Sequence, residues 1–351
     1  MKTRIIVCCM ALLALVCSCG KKDSKGGSLI TPASTGQPYE VLVVADKEYM
    51  AGKASQAIYD VLDDDVPGLP QSESAFKISR VAADNFYRQL RFCRNIIMVK
   101  IDKSMFTQPK IKFSRDVYSQ PQMIMSIQAP DEESFAKFVT ENSQQIVDFF
   151  TRAEMNREID MLKKKHNLVV QEKVKNMFDC DVWIPQELNK TKTGKDFYWA
   201  ATNKGERDMN FVIYSFPYRD LNTFTAEYFF NKRDSVMKAN IPGPKENQYM
   251  STARPYVTVS DVEVKGGYAQ LARGLWEMEN YDMGGPFVSL SRVDEINQKV
   301  VVVEAFIYAP GDKKRNLMRR MEAALYTLQL PQDTEDNKFR FSLEEVTVQP
   351  E

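Results

Sequence analysis

Past its first twenty residues, the chain alternates short apolar runs with longer apolar stripes at helical spacing. Tyr39 to Ala45 (Tyr-Glu-Val-Leu-Val-Val-Ala) reads as a buried strand. The spacing of Ala54, Ile58, Val61 and Leu62 predicts a helix over Tyr49–Leu62. Asp63-Asp64-Asp65 and Val66-Pro67-Gly68-Leu69-Pro70 end it, because proline and glycine break both helix and ladder. Strands are expected over Phe76–Val81 and Asn95–Ile101, around a short helix near Asp84–Leu90, and again over Gln122–Gln128.

Asp131 opens a long helix. Acids in its first turn (Asp131, Glu132, Glu133) and lysines at its end (Lys163, Lys164, Lys165) both suit the helix dipole. Phe135, Phe138, Val139, Ile146, Phe149, Phe150 and Ala153 recur at three and four residues and form one apolar stripe. The stripe thins after Ala153, so the far part is expected to project beyond the first core. A second helix, Leu168–Phe178, aligns Val170, Val174, Met177 and Phe178.

In the second half, Phe197–Thr202 and Asn210–Phe216 flank the polar turn Asn203-Lys204-Gly205-Glu206 and predict a β-hairpin. A helix over Asn222–Ala239 follows, then strands near Tyr256–Val264, Tyr268–Glu277, Phe287–Val293 and Val300–Tyr308. Gly266-Gly267 and Gly284-Gly285 read as turns between them. A helix over Lys313–Leu328 points Leu317, Met321, Ala324, Leu325 and Leu328 inward. The tail from Phe339 to Val348 alternates and switches parity at Glu344-Glu345, as a bulged strand would.

Three strands run into helices through similar turns: Ala129-Pro130-Asp131, Pro217-Tyr218-Arg219-Asp220 and Ala309-Pro310-Gly311-Asp312. Proline ends a ladder and aspartate caps a helix. The expected class is therefore α+β, with mixed or antiparallel sheets and packed helices in two α+β halves, either related by duplication or alike only in their turns. They would cover residues 39–166, including the long helix, and 167–351.

The N-terminus has a different pattern. Lys2 and Arg4 precede an unbroken apolar run, Ile5 to Val16. That run is shorter than the ~20 residues a membrane-spanning helix needs and has the length of a signal-peptide core. It ends in Val16-Cys17-Ser18-Cys19, a small residue before a cysteine with an aliphatic residue three positions upstream of it. This resembles the lipobox of bacterial lipoproteins, which implies cleavage after residue 18 and lipid on Cys19. Residues 19–38, rich in Gly, Ser and Lys, are expected to form a flexible tether. Lys22-Asp23 partly matches surface-export signals, so both the periplasmic and the surface face of the outer membrane stay open.

Over its length the chain is similar to a family of Bacteroidetes lipoproteins catalogued as a numbered domain of unknown function. The likeness rests on the lipobox, the overall size, the Tyr39–Ala45 strand and the Phe211–Asp220 segment. It implies export and anchoring to the cell envelope, and no particular activity.

Composition narrows the chemistry. The full chain carries 47 basic and 47 acidic residues. Loss of residues 1–18 removes Lys2 and Arg4, leaving 45 against 47, a net charge of −2. Such balance provides no field for nucleic acid. His166 is the only histidine, and it follows three lysines at a helix end, where a structural or surface role is expected. No phosphate-binding glycine motif occurs, and cofactor and metal are expected to be absent. Beyond the signal and Cys19, only Cys93 and Cys180 remain. In an oxidising compartment they can pair as a disulfide, or stand as small buried hydrophobes.

Asp63-Asp64-Asp65, and Asp179 and Asp181 around Cys180, are the dense acidic sites, read as solvated turns. The basic face Lys313, Lys314, Arg315, Arg319 and Arg320 is read as solvated, with anionic lipid as its alternative partner. Trp199, Tyr214, Tyr218 and Trp276 form a candidate aromatic binding surface for a sugar or peptide, set against ordinary core packing. The expectation is thus a membrane-anchored envelope lipoprotein that binds an envelope protein or glycan without catalysis. The alternative is a carboxylate-dependent hydrolase acting on polysaccharide.

Overall fold

The computed structural model describes residues 31–334 and 340–343. The expected signal peptide, Cys19 and most of the expected tail strand lie outside them. Within the tether, Ala33 and Thr35 already bridge to Gln120 and Cys93, and Thr35 N donates to Phe92 O at 2.7 Å. The expected flexible tether therefore stops short of Pro38, and the described residues from Ala33 on form one compact unit.

The first half holds a five-stranded mixed sheet of β1 (Glu40–Ala45), β2 (Lys77–Ala82), β3 (Asn95–Ile101), β4 (Lys110–Arg115) and β5 (Met123–Ala129). The spatial order is β2-β1-β3-β5-β4, with only β4 antiparallel to its neighbour. A parallel strand covered on both faces needs a continuous apolar run, which Val41 to Ala45 supplies. Val41, Val43 and Ala45 meet the helices, whereas Leu42 and Val44 meet a smaller cluster around Phe86. Between β2 and β3 the expected short helix is two 3-10 turns, Ala83–Asn85 and Arg88–Phe92.

On the main face lie α1 (Lys53–Leu62), α2 (Glu132–Glu141) and α3 (Ser143–Lys164). The expected single long helix breaks at Asn142, whose side chain donates to Phe138 O at 2.8 Å. The far half of α3 does not project. Met155, Ile159 and Leu162 enter the core of the second half. Among them Glu154 and Arg157 are buried as an ion pair, each also bonded to Asn95.

The second half contains α4 (Leu168–Phe178), β6 (Lys190–Gly194), β7 (Phe197–Ala201), β8 (Asp208–Pro217), α5 (Ala226–Asn240), β9 (Met250–Thr252), β10 (Thr258–Val264), β11 (Gly267–Met278), β12 (Tyr281–Asp294), β13 (Lys299–Tyr308) and α6 (Arg315–Leu325). The strands form an antiparallel sheet ordered β10-β11-β12-β13-β8-β7-β6, with β9 on β11. The expected hairpin is β7–β8, pairing Phe197 with Tyr214 and Ala201 with Asn210. Alternation assigns the faces: Phe211 and Ile213 meet the core of α4 and α6, whereas Val212 and Tyr214 lie on the other face with Phe229 and Met237 of α5.

Two halves of α+β type are thus present, with sheets of different topology. The recurring strand–Pro–Asp segments are local solutions to one turn and do not mark a duplication. Asp131 caps α2 through Ser134 N, Asp220 caps only a 3-10 turn, and α6 starts beyond Asp312. The amides at the start of α6 receive Glu73 from the first half instead, at 2.6 Å from Lys314 N and 3.1 Å from Arg315 N. A carboxylate there satisfies orphan donors and the helix dipole together.

Apart from the exposed Lys313, the expected basic face is accordingly not a solvated surface. Arg315 and Arg319 donate to Ser74 O and Ala75 O, and the Arg319 guanidinium lies 4.4 Å from the Tyr39 ring centre. Arg320 pairs with Glu158 and Glu187. Cys93 and Cys180 are free thiols, so the disulfide expectation is not met. Cys93 packs on the small cluster beside β1, and Cys180 is buried in the main core of the second half.

Candidate functional site

The α5 face of the antiparallel sheet is covered along only part of its length. Helix α5 ends at Asn240, and the chain turns away through Ile241-Pro242-Gly243-Pro244. Beyond that point the sheet face lines a cavity of about 610 Å³. Its volume falls in the range of ligand sites, roughly 300–1,000 Å³.

The floor is aromatic. Trp199, Phe306, Trp276 and Tyr308 form a chain of ring contacts, with centroids 6.3 Å apart for Trp199–Phe306, 5.6 Å for Phe306–Trp276 and 6.4 Å for Trp276–Tyr308. Strand period places them together. Phe306 and Tyr308 are two apart on β13, and Trp276 reaches them from β11 across β12. That crossing requires Gly285. A Cβ at Gly285 would lie 2.1 Å from Ile307 O and 3.1 Å from Trp276 Nε1. Gly284-Gly285 is therefore not a turn but part of β12, and the hairpin bend is at Glu279-Asn280, where Asn280 has φ 55°.

Both indole donors are occupied by protein. Trp276 Nε1 donates to Ile307 O at 3.2 Å, and Trp199 Nε1 to Asn210 Oδ1 at 3.0 Å. What Trp199 still offers the cavity is ring surface, and it is half-buried. Methionines 250, 278 and 283 complete the apolar lining, and Tyr281, 48% exposed, stands at the mouth. The polar rim includes Lys190, Thr191, Asn203 and Asp208. Lys192 Nζ donates to Asn240 O at 2.8 Å and ties the edge strand to the end of α5.

Behind the cavity, α5 is pinned by an ion pair with no exposure. Arg233 meets the Glu304 carboxylate at 2.7 to 3.1 Å and Thr252 Oγ1 at 2.8 Å, and its guanidinium lies 4.0 Å from the Phe287 ring centre. Burial pushes the Glu304 carboxyl above the usual range even with Arg233 against it.

Of the four aromatics singled out in the sequence, Trp199 and Trp276 share the cavity. Tyr214 is buried on the α5 side of the sheet and Tyr218 lies half-buried near the far end, so neither belongs to the surface expected. Phe306, Tyr308 and the methionines were not identified from sequence. The signal for Phe306 and Tyr308 was their spacing of two at the end of a strand.

Among the described lining residues Asp208 is the one carboxylate, and it accepts from Thr202 Oγ1 and Lys204 N in the β7–β8 turn. The acidic runs lie elsewhere: Asp63 and Asp65 accept from Ser74 and Ser72, and Asp181 from Gln171. His166 is held by Leu162 O and Gln171 Oε1 and stacks on Trp183 at 5.5 Å. Among the described residues no group of His, Cys, Asp and Glu is arranged to hold a metal, and no helix is long and apolar enough to cross a membrane.

Two family models match the chain. Residues 167–327 match a domain of unknown function, DUF4837. Residues 34–163 match a second domain of unknown function, DUF8532. The cavity and its lining fall within the first of these. No curated protein matches the chain.

Proposed function

We propose that this chain is an envelope lipoprotein of the Bacteroidetes type, held to the outer membrane by lipid on Cys19, that binds a glycan in the cavity beyond α5. The observation that carries the binding reading is the half-buried rings of Trp199 and Tyr308, backed by the buried Phe306 and Trp276, beside the polar groups Thr191, Asn203 and Asp208. A pyranose ring has one apolar face and a polar edge, and such a ligand matches flat ring surface next to amide and carboxylate groups. Asp208, the one carboxylate among the described lining residues and already engaged, supports binding over glycoside hydrolysis, which needs two carboxylates roughly 5–9 Å apart.

Titration of the full chain with neutral, amino and acidic oligosaccharides, read by tryptophan fluorescence, tests this reading. A saturable change with at least one class is expected, because Trp199 and Trp276 both line the cavity. A flat response to all three classes would overturn it.

A further inference from the structure

The other end of β12 carries a second cavity, of about 320 Å³, at the β10–β11 hairpin. Met283 of the first cavity and Arg292 of this one are nine residues apart, about 30 Å along a strand. Its cations are Lys265 and Arg292, whose side chains are only 3% and 4% exposed. Both are directed to one carboxylate. Asp333 takes two bonds of 2.7 Å from Arg292 and lies 3.8 Å from Lys265 Nζ. The other acid at the rim, Glu295, is exposed. Arg292 Nε is buried without a partner, as is Gln332 Oε1.

Lys265 occupies a position that local structure disfavours. It is the first turn residue of a two-residue hairpin, between Val264 and Gly267, with φ 55°. Asn, Asp and Gly are the usual choices there, and a residue held in the left-handed region against its preference points to a use for its side chain. Around the cations stand Tyr218, Phe224, Tyr268 and the 82%-exposed Leu221.

We infer that this cavity is a binding site for a small ligand that carries an oxyanion, a carboxylate or phosphate, on an apolar or ring-shaped body, with Lys265 and Arg292 as its anion receptors. Among the described residues Asp333 is the one carboxylate in contact with the two buried cations, Asp181 acts on Lys265 from farther away, and Arg292 Nε keeps an unused donor, which is costly in a low-dielectric site. A ligand oxyanion accepts from Arg292 Nε and the Lys265 amine, contests the guanidinium fork that Asp333 holds, and is covered by the rings along its body. Asp333 occupies part of the receptor and competes with the ligand. Burial, against the pull of Asp333 and with the repulsion of Arg292 outweighing the weaker pull of Asp181, brings the Lys265 amine down to about 8, so ligand affinity falls above that pH.

The test is calorimetric titration of the full chain with inorganic phosphate and with benzoate at neutral pH. Saturable one-site binding of either probe is expected. Binding of both assigns recognition to the anion alone, and binding of benzoate alone adds the ring walls. Lys265→Gln should weaken binding at least about tenfold with a thermal midpoint at neutral pH no lower than that of the wild type. Asp333→Asn should tighten it by removing the competitor. Trp199→Ala should leave it unchanged, which separates this site from the glycan reading. Failure of both probes with the wild-type chain, or equal affinity in Lys265→Gln, overturns the proposal.

Discussion

The indole nitrogen of Trp276 donates to the carbonyl of Ile307, two strands away, by passing over Gly285 on the strand between. This contact sets the floor of the larger cavity, since it fixes the Trp276 ring against Phe306 and Tyr308. Gly285→Ala should cost about 1–3 kcal/mol, the range for overpacking a tight contact. Urea unfolding would show it, and a variant as stable as wild type would refute the crossing.

The Arg233–Glu304 pair holds α5 and β9 on the sheet from a position without solvent. Arg233→Met leaves a buried carboxylate alone and should destabilise by about 3–5 kcal/mol. Adding Glu304→Leu should recover most of that loss, because no charge then remains uncompensated. Denaturant midpoints of the two variants decide it.

Glu73 caps α6 from the other half of the protein. Glu73→Ala should cost about 1–2 kcal/mol through lost capping and dipole terms. Chemical denaturation of the full chain measures this, and a change below a few tenths of a kcal/mol would remove the cap from the account.

Lys265 gives a pH signature. Its folded value near 8 lies below the ordinary lysine value, so between those two points the unfolded chain binds more protons than the folded one. The stability tied to this group is complete above the unfolded value and is lost as pH falls through about 8. The wild-type chain should therefore gain on Lys265→Met as pH rises from 8 to 10, by up to about 3 kcal/mol. Parallel stability curves would exclude the shift.

The free thiols should differ in reactivity. Burial pushes Cys180 up to about 12, and burial with nearby Glu40 raises Cys93, which is only partly covered. A native thiol assay should modify Cys93 slowly and Cys180 only on unfolding. A denatured, unreduced chain lacking both thiols would mean that they are bridged after all.

Much of the fold was legible in local pattern. The run Val41 to Ala45, the hairpin from Phe197 to Phe216 and the Asp131 cap each follow from one rule and stand as read. The far half of α3 was not legible, because Glu154 and Arg157 look like a solvated face. They are buried because Asn95, sixty residues earlier in the chain, completes their bonds. Arg315 and Arg319 misled for the same reason, since their acceptors lie on the other half. Gly284-Gly285 reads as a turn until Trp276 is seen to cross it. At the cavity, aromatic identity was visible in Trp199 and Trp276, but the cover ending at Asn240 is a tertiary fact.

The glycan reading turns on Trp199, which lines the cavity with its donor already engaged by Asn210. The most direct measurement compares the wild-type chain with Trp199→Ala on an immobilised array of neutral, amino and acidic glycans, with Lys265→Gln as a control. The account predicts that wild type and Lys265→Gln retain a common glycan class and that Trp199→Ala loses it by about tenfold or more. Retention of no glycan by the wild-type chain, or equal retention by Trp199→Ala, would contradict it.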